Sequence, residues 1–227
     1  MAIHRAGGIS IEFPTLEIRP TSSNWLKKIP LLASVDQALF ISPNAVHYFF
    51  KALHAAKYLW PTRIEVTAIG QGSAQALAYY GVTTHHIPSV SDSEHLLSLE
   101  SLQRISHQTI FLIKGDGGRD VIEKTLSSRQ ANLEIFNVYH RTLPEKDEKY
   151  SNSLWREDAV DIILFTSQEA MQNLFVLFGK QAHAWIITKP CVVISQRLAE
   201  IATTLGMQTV IISNYDALLT TLEGFKK

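Results

Sequence analysis

Four stretches of this chain place a hydroxyl or a glycine where an apolar run gives way to a helical pattern: Ser42-Pro43-Asn44-Ala45, Gly70-Gln71-Gly72-Ser73, Ser167-Gln168-Glu169-Ala170 and Ser195-Gln196-Arg197. A fifth junction, Lys114-Gly115-Asp116-Gly117-Gly118-Arg119, is rich in glycine. Each leaves backbone N–H groups without an intrahelical partner at the positive end of a helix dipole. That is the chemistry of anion binding, and it needs no net positive charge. Taken singly, any of these sites reads as ordinary capping, Ser42-Pro43 above all. The functional case is collective, because several helix starts suit a ligand with many carboxylates. Other chemistries fit less well. Gln75 stands where a dinucleotide fingerprint beginning at Gly70 needs Gly or Ala, and the turn at 115–118 lacks the Gly-Lys-Ser/Thr ending of a P-loop. His85 and His86 are adjacent on a predicted strand and so face opposite ways, and no other histidine spacing suits a metal. Tyr139-His140-Arg141 is a titratable cluster on an extended segment. Strand alternation predicts that Val138 packs while Tyr139 faces a cleft, where its hydroxyl can donate to a departing oxygen; the bland reading is that Tyr139 simply packs.

The elements that hold these junctions come in two sets. Phe40-Ile-Ser-Pro-Asn-Ala-Val46 returns as Phe165-Thr-Ser-Gln-Glu-Ala-Met171, a shift of 125 residues (165 − 40), and the same shift lays Ala68–Ala78 on Val193–Thr203 and Gly81 on Gly206. A constant offset with apolar on apolar indicates an internal duplication. Strands and helices alternate in both copies: strands at 38–42, 64–70, 84–87 and 109–114, then at 160–166, 191–194 and 209–212, each followed by a helix. The last helix is predicted over Tyr215–Leu222. This pattern predicts an α/β fold of two similar lobes, each with a parallel sheet covered by helices. Ile9, Ile11 and Phe13 alternate with polar residues, and Leu133–Arg141 is the corresponding segment of the second half; both are read as linker strands joining the lobes through a two-stranded β connection. The expected division is 1–20 as a remnant of the outer lobe and first linker strand, 21–132 as the middle lobe, 133–144 as the return linker and 145–227 as the outer lobe. Pro144–Tyr150 is read as a charged, mobile connection. The unit at 110–129 has no counterpart ahead of the first linker, so the expectation is a late start or an outer sheet short of one strand.

Bulk properties narrow the class. A chain of 227 residues with 46 % hydrophobic and 19 % charged residues has enough apolar material for two cores, which excludes disorder. Lys plus Arg equals Asp plus Glu, at 21 each, so no global field draws nucleic acid or an anionic membrane. The single cysteine, Cys191, makes no internal disulfide, and no apolar run approaches a membrane span, so the cytoplasm is expected.

Together the stretches Gly8–Pro20, Phe40–Val46, Ala68–Ala74, Leu112–Arg119, Val138–Arg141 and Ser195–Ala199 resemble the uroporphyrinogen-III synthase family, over about Gly7 to the end. The resemblance implies two α/β lobes joined by a β ladder, no metal or organic cofactor, and cyclisation of hydroxymethylbilane, a linear tetrapyrrole with eight carboxylates. Water is lost and ring D inverts through a spiro intermediate. On the family pattern Tyr139 matches the tyrosine that assists loss of the hydroxyl, and Ser42, Ser73 and Ser167 match hydroxyl positions of the cleft. The substrate-binding set expected from the junctions is Ser42, Pro43, Asn44, Gly70, Gln71, Gly72, Ser73, Lys114, Gly115, Gly118, Arg119, Ser167, Gln168, Ser195 and Arg197. Expected partners are the bilane and, transiently, hydroxymethylbilane synthase, with the protein acting as a monomer. The family's usual opening strand, ending in Thr-Arg-Pro, and its helix are absent ahead of Gly7-Gly8, which agrees with the unpaired repeat unit. The rival expectations are a non-catalytic bilobed ligand-binding protein and a truncated, inactive paralogue.

Overall fold

A computed structural model describes residues 2–5, 7–214 and 217–224 of the chain. Two compact units emerge, one formed by Ile18–Arg141 and the other by Met1–Glu17 with Thr142–Lys227. A helical turn, α1 (Ala2–Arg5), opens the second of these, and β1 (Glu17–Pro20) leads into the first. Ile9 and Ile11 are exposed and form no strand, contrary to the alternation read from the sequence: apolar spacing specifies a strand only where another strand is there to pair with it.

Within the 18–141 unit the strands are β2 (Gln37–Phe40), β3 (Glu65–Ala68), β4 (Thr109–Gly115) and β5 (Asn132–Thr142), in the order β1-β5-β4-β2-β3. From β5 to β3 every pairing is parallel. Thr21 N–H donates to the Val138 carbonyl and Thr142 Oγ1 donates to that of Glu17, a falling register that makes β1 antiparallel to β5. The segment read as the return linker strand pairs with β1 and, beyond what was expected, also joins β4 as a member of this sheet. Side chains of the sheet alternate between two cores. Ala38, Phe40, Val66, Phe111, Ile113 and Phe136 point to one, with Trp25, Ile29 and the helices α2 (Pro43–Ala55) and α3 (Gln71–Tyr79). Leu39, Ile110 and Leu112 point to the other, with α4 (Ser93–Ser98) and α5 (Val121–Ser128). Because both faces are covered there, the central strands β2 and β4 are buried along nearly their whole length and largely apolar, whereas β5 nearer the edge is partly exposed and carries polar residues. Trp25 belongs to a 3₁₀ helix, Ser23–Ser34, with Pro30 inside it. Only an isolated bridge, Thr67 to His86, stands where a strand was expected at 84–87.

The other unit contains α6 (Glu148–Arg156), β6 (Ile163–Phe165), α7 (Gln168–Phe178), α8 (His183–Thr188), β7 (Cys191–Val193), α9 (Gln196–Thr204), β8 (Val210–Ile212) and α10 (Leu218–Glu223). Its three strands are parallel, in the order β6-β7-β8. The last three residues of the charged stretch read as a mobile connection, Glu148–Tyr150, open α6, which is capped by Asp147, whose carboxylate accepts from Tyr150 N–H, with Leu154 and Trp155 turned to the core. The start of the last predicted helix, Tyr215 and Asp216, lies outside the described residues.

The duplication survives at the level of hydrogen-bond register. Leu39 pairs with Thr67, and 125 residues later Leu164 pairs with Val192; Thr67 bridges His86, and Val192 pairs with Ile211. Gly81 and Gly206 end corresponding helices at φ of 71° and 91°, a conformation in which a side chain is strained. Two halves that share turns, caps and register have one design.

Candidate functional site

At the carboxyl edge of the β5-β4-β2-β3 sheet the junctions of the first unit meet side by side. Ser42 is fully extended, at φ −166° and ψ 155°, and its Oγ accepts from Ala45 N–H at 3.0 Å to cap α2, with Pro43 at the first helical position. Gly70 starts α3 with no side-chain cap, and a Cβ there would fall 2.1 Å from Ser91 Oγ and 2.8 Å from Ser91 Cβ, so any other residue would have to displace the Ser91 side chain. A Cβ on Gly72 would meet Pro43 at 3.3 Å, which puts these two helix starts in contact distance. Pro43, Gln71 and Gly72 are not buried, whereas Ser73 is.

Tyr139 enters the same edge from β5. The pairing of β4 and β5 runs Lys114 to Asn137 and then Gly115 to Tyr139, so Val138 is an extra residue, a β-bulge. The bulge turns Val138 and Tyr139 into the same core, where both are nearly inaccessible. Strand alternation put them on opposite faces; the inserted residue is why that expectation fails. Tyr139 is held on three sides. Its ring stacks with that of Tyr48 at 5.9 Å, lies against the backbone of Gly115, and carries its hydroxyl to 3.1 Å from Ser42 Oγ. Its carbonyl accepts from Asp116 N–H at 2.7 Å, which fixes the start of the glycine-rich turn. Tyr48 is itself anchored, donating to the Ile18 carbonyl at 2.7 Å.

That turn differs from the expected anion cradle in one respect. Lys114 is buried and its ammonium forms an ion pair with Glu123 on α5, so the charge is used inside the unit rather than offered to a ligand. A charge at that depth on a strand requires a partner. Gly117 and Gly118 follow at positive φ and are exposed. Arg119 is exposed and grips Glu94 through both terminal nitrogens, at 2.7 and 3.2 Å, holding the Glu94 carboxyl below the usual carboxylate range.

In the other unit Ser167 and Ser195 repeat the cap: Ser167 Oγ accepts from Ala170 N–H at 3.1 Å and Ser195 Oγ from Leu198 N–H at 3.3 Å. Arg197 donates to the Gln168 side-chain oxygen at 3.2 Å, joining these two helix starts. The first unit thus gathers Ser42, Gly70, Gly115 and Tyr139 at one sheet edge, and the second gathers Ser167, Gln168, Ser195 and Arg197. Sequence reasoning missed Tyr48 and Glu123. For Glu123 a signal existed: Lys114 follows four apolar residues, Ile110–Ile113, and a lysine there needs a carboxylate on the covering helix. Among the described residues no group of three or more His, Cys, Asp or Glu side chains is placed to hold a metal ion, and no helix is long and apolar enough to cross a membrane.

Comparison with known proteins follows the same lines. The family model described as "Uroporphyrinogen-III synthase HemD" matches residues 1–218. The chain is similar to the uroporphyrinogen-III synthase of Escherichia coli K12, 29 % identical over 226 residues that cover 96 % of this chain and 91 % of that protein. It is similar to that of Chlorobaculum parvum at 27 % identity, covering 79 % of this chain and 73 % of the other. In fold it resembles a mutant uroporphyrinogen III synthase of the extremely thermophilic bacterium Thermus thermophilus, with a TM-score of 0.64, 19 % identity and coverage of 99 % and 90 % of the two chains. It also resembles the uroporphyrinogen-III synthetase of Helicobacter pylori 26695, with a TM-score of 0.65, 15 % identity and coverage of 93 % and 91 %.

Proposed function

The chain belongs to the uroporphyrinogen-III synthase family, and from that premise we propose how its residues turn hydroxymethylbilane into uroporphyrinogen III. The activity is that of a cyclising lyase, and the family implies the linear tetrapyrrole as substrate. The bilane closes on its own without inversion. An enzyme must therefore hold a flexible octacarboxylate in the conformer that leads ring D through the spiro carbon, which is chiefly a task of positioning. The helix starts at Ser42-Pro43-Asn44, Gly70–Ser73, Ser167-Gln168 and Ser195–Arg197 supply N–H groups and dipoles for the carboxylates, with the turn at Gly115–Gly118 and Arg119 as a further contact. Lys114 acts from inside, anchoring that turn through Glu123.

Tyr139 assists the first step. Its O–H gives a proton to the substrate hydroxyl as the C–O bond breaks; water leaves with the electron pair of that bond, while electrons of the pyrrole nitrogen form the exocyclic double bond of an azafulvene. Ring D then attacks through its substituted carbon, the spiro intermediate reopens, and the proton lost from ring D at the last closure restores the phenol. One observation carries this assignment: the Tyr139 hydroxyl stands at the sheet edge where the helix starts of its unit gather, 3.1 Å from Ser42 Oγ. The proposal includes action as a monomer in the cytoplasm and a transient contact with hydroxymethylbilane synthase, because the substrate is unstable.

The test is product analysis. Purified protein supplied with enzymatically generated hydroxymethylbilane should yield the type III isomer, and exclusive type I product would overturn the assignment. Tyr139→Phe should lower kcat by about 100-fold, the lower end of what a general acid contributes. An unchanged kcat would remove the hydroxyl from the mechanism.

A further inference from the structure

We infer that Ser42 is a positioning residue for the reaction, relaying the positive end of α2 onto the Tyr139 oxygen as that oxygen gives up its proton; this rests on the role proposed for Tyr139. Three atoms define the relay. Ala45 N–H, in the first turn of α2, donates to Ser42 Oγ at 3.0 Å, and Ser42 Oγ lies 3.1 Å from the Tyr139 hydroxyl. A serine hydroxyl has one proton and two lone pairs. One lone pair is taken by the cap. The only other hydrogen-bond partner of Ser42 Oγ among the described residues is the phenol, and Ser42 is likewise the only partner of the Tyr139 hydroxyl among them.

Two proton arrangements satisfy that contact. If Tyr139 donates to Ser42, the phenol has no proton to offer. If Ser42 donates to Tyr139, the phenol proton is free for an arriving hydroxyl, and the serine proton already points at the oxygen on which charge develops. A leaving hydroxyl selects the second arrangement, because only there does it find a donor. Polarisation runs in one direction along the chain Ala45 N–H, Ser42 O–H, Tyr139 O, and each donor strengthens the next. The helix end behind it favours negative charge at its far end.

The duplication supplies a control. Ser167 occupies the corresponding place, caps α7 with the same geometry, and has no tyrosine against its Oγ among the described residues. Ser167 shows what the cap does alone. At Ser42 the same cap also meets a phenol, clamped by Tyr48 and Gly115.

The experiment measures kcat and KM for type III product with Ser42→Ala, Ser42→Thr, Ser42→Asp, Tyr139→Phe and the double variant Ser42→Ala/Tyr139→Phe, and melting temperatures for these and Ser167→Ala. Ser42→Ala should lower kcat about ten-fold, the worth of one hydrogen bond to a developing charge, with KM within about two-fold. Ser42→Thr keeps cap and proton and should restore kcat. Ser42→Asp keeps the cap and the fold but has no proton to give, so it should be slower than Ser42→Ala while melting no lower. In the Tyr139→Phe background Ser42→Ala should cost nothing more, whereas its melting temperature should fall as for Ser167→Ala. Multiplicative losses in the double variant, or full kcat in Ser42→Asp, overturn the relay while leaving the role of Tyr139 intact. An unaffected Tyr139→Phe overturns that role and the relay with it.

Discussion

The ring of Tyr139 lies so close to the backbone of Gly115 that a methyl group on that glycine would stand 2.4 Å from Tyr139 Cζ and 2.8 Å from its hydroxyl oxygen. Carbon atoms in contact prefer about 3.5–4.0 Å, so Gly115→Ala must move the ring by about 1 Å or open the strand pair. The glycine is needed for close approach, since its φ is not among the positive ones. The Ser42 contact at 3.1 Å would not survive that shift. Gly115→Ala should therefore lower kcat by about 100-fold, in line with what a misplacement of about 1 Å in a reacting group costs. Turnover assays on protein whose circular dichroism is unchanged check it, and full activity would show that the ring position is unimportant.

Buried charge gives a second prediction. The Lys114 and Glu123 side chains are only 9 % and 16 % exposed, and one oxygen of Glu123 has no hydrogen-bond partner among the described residues. Lys114→Met removes the partner of a carboxylate that stays inside, which should destabilise by about 3–5 kcal/mol. Lys114→Met/Glu123→Leu removes both charges and should recover most of that loss. Urea denaturation of the three proteins decides it. If the single and double variants unfold at the same midpoint, the pair is not what holds the turn.

The same residues show where sequence reading works and where it stops. The 125-residue shift was legible because each copy keeps its own core pattern and its own cap, and the register of Leu39 with Thr67 and of Leu164 with Val192 follows from that. The serine caps were legible for the same reason, since hydroxyl and helix start are neighbours in the chain. The bulge at Val138 was not, because an inserted residue shows only against a partner strand. Ile9 and Ile11 alternate as a strand does, yet nothing in the alternation says whether a neighbouring strand will receive them. Lys114 looked like an anion ligand because its partner Glu123 sits on the covering helix, and local spacing does not register which face of a strand meets which face of a helix.

Cys191 yields a prediction in pH. It opens β7 in the core of its unit and is fully buried, and burial pushes its thiol up to about 11. The neutral form is thus the folded form at neutral pH, and iodoacetamide at about pH 8 should label the native protein far more slowly than the same protein in urea. The direction of the stability effect follows. An unfolded thiol begins to ionise near its ordinary value of 9.0, whereas the folded one waits until about 11. As pH rises the unfolded chain loses this proton first, so the contribution of Cys191 to stability is complete below about pH 9 and declines between about 9 and 11. Tyrosines and lysines titrate in the same range, so the comparison must be between proteins rather than between pH values. Cys191→Ala is less stable at about pH 8 because of the lost volume, but the gap between it and the unmodified chain should narrow at about pH 10.5. Urea midpoints at the two pH values measure that gap, and a gap that stays constant or widens would mean that the thiol ionises as readily in the core as in the unfolded chain.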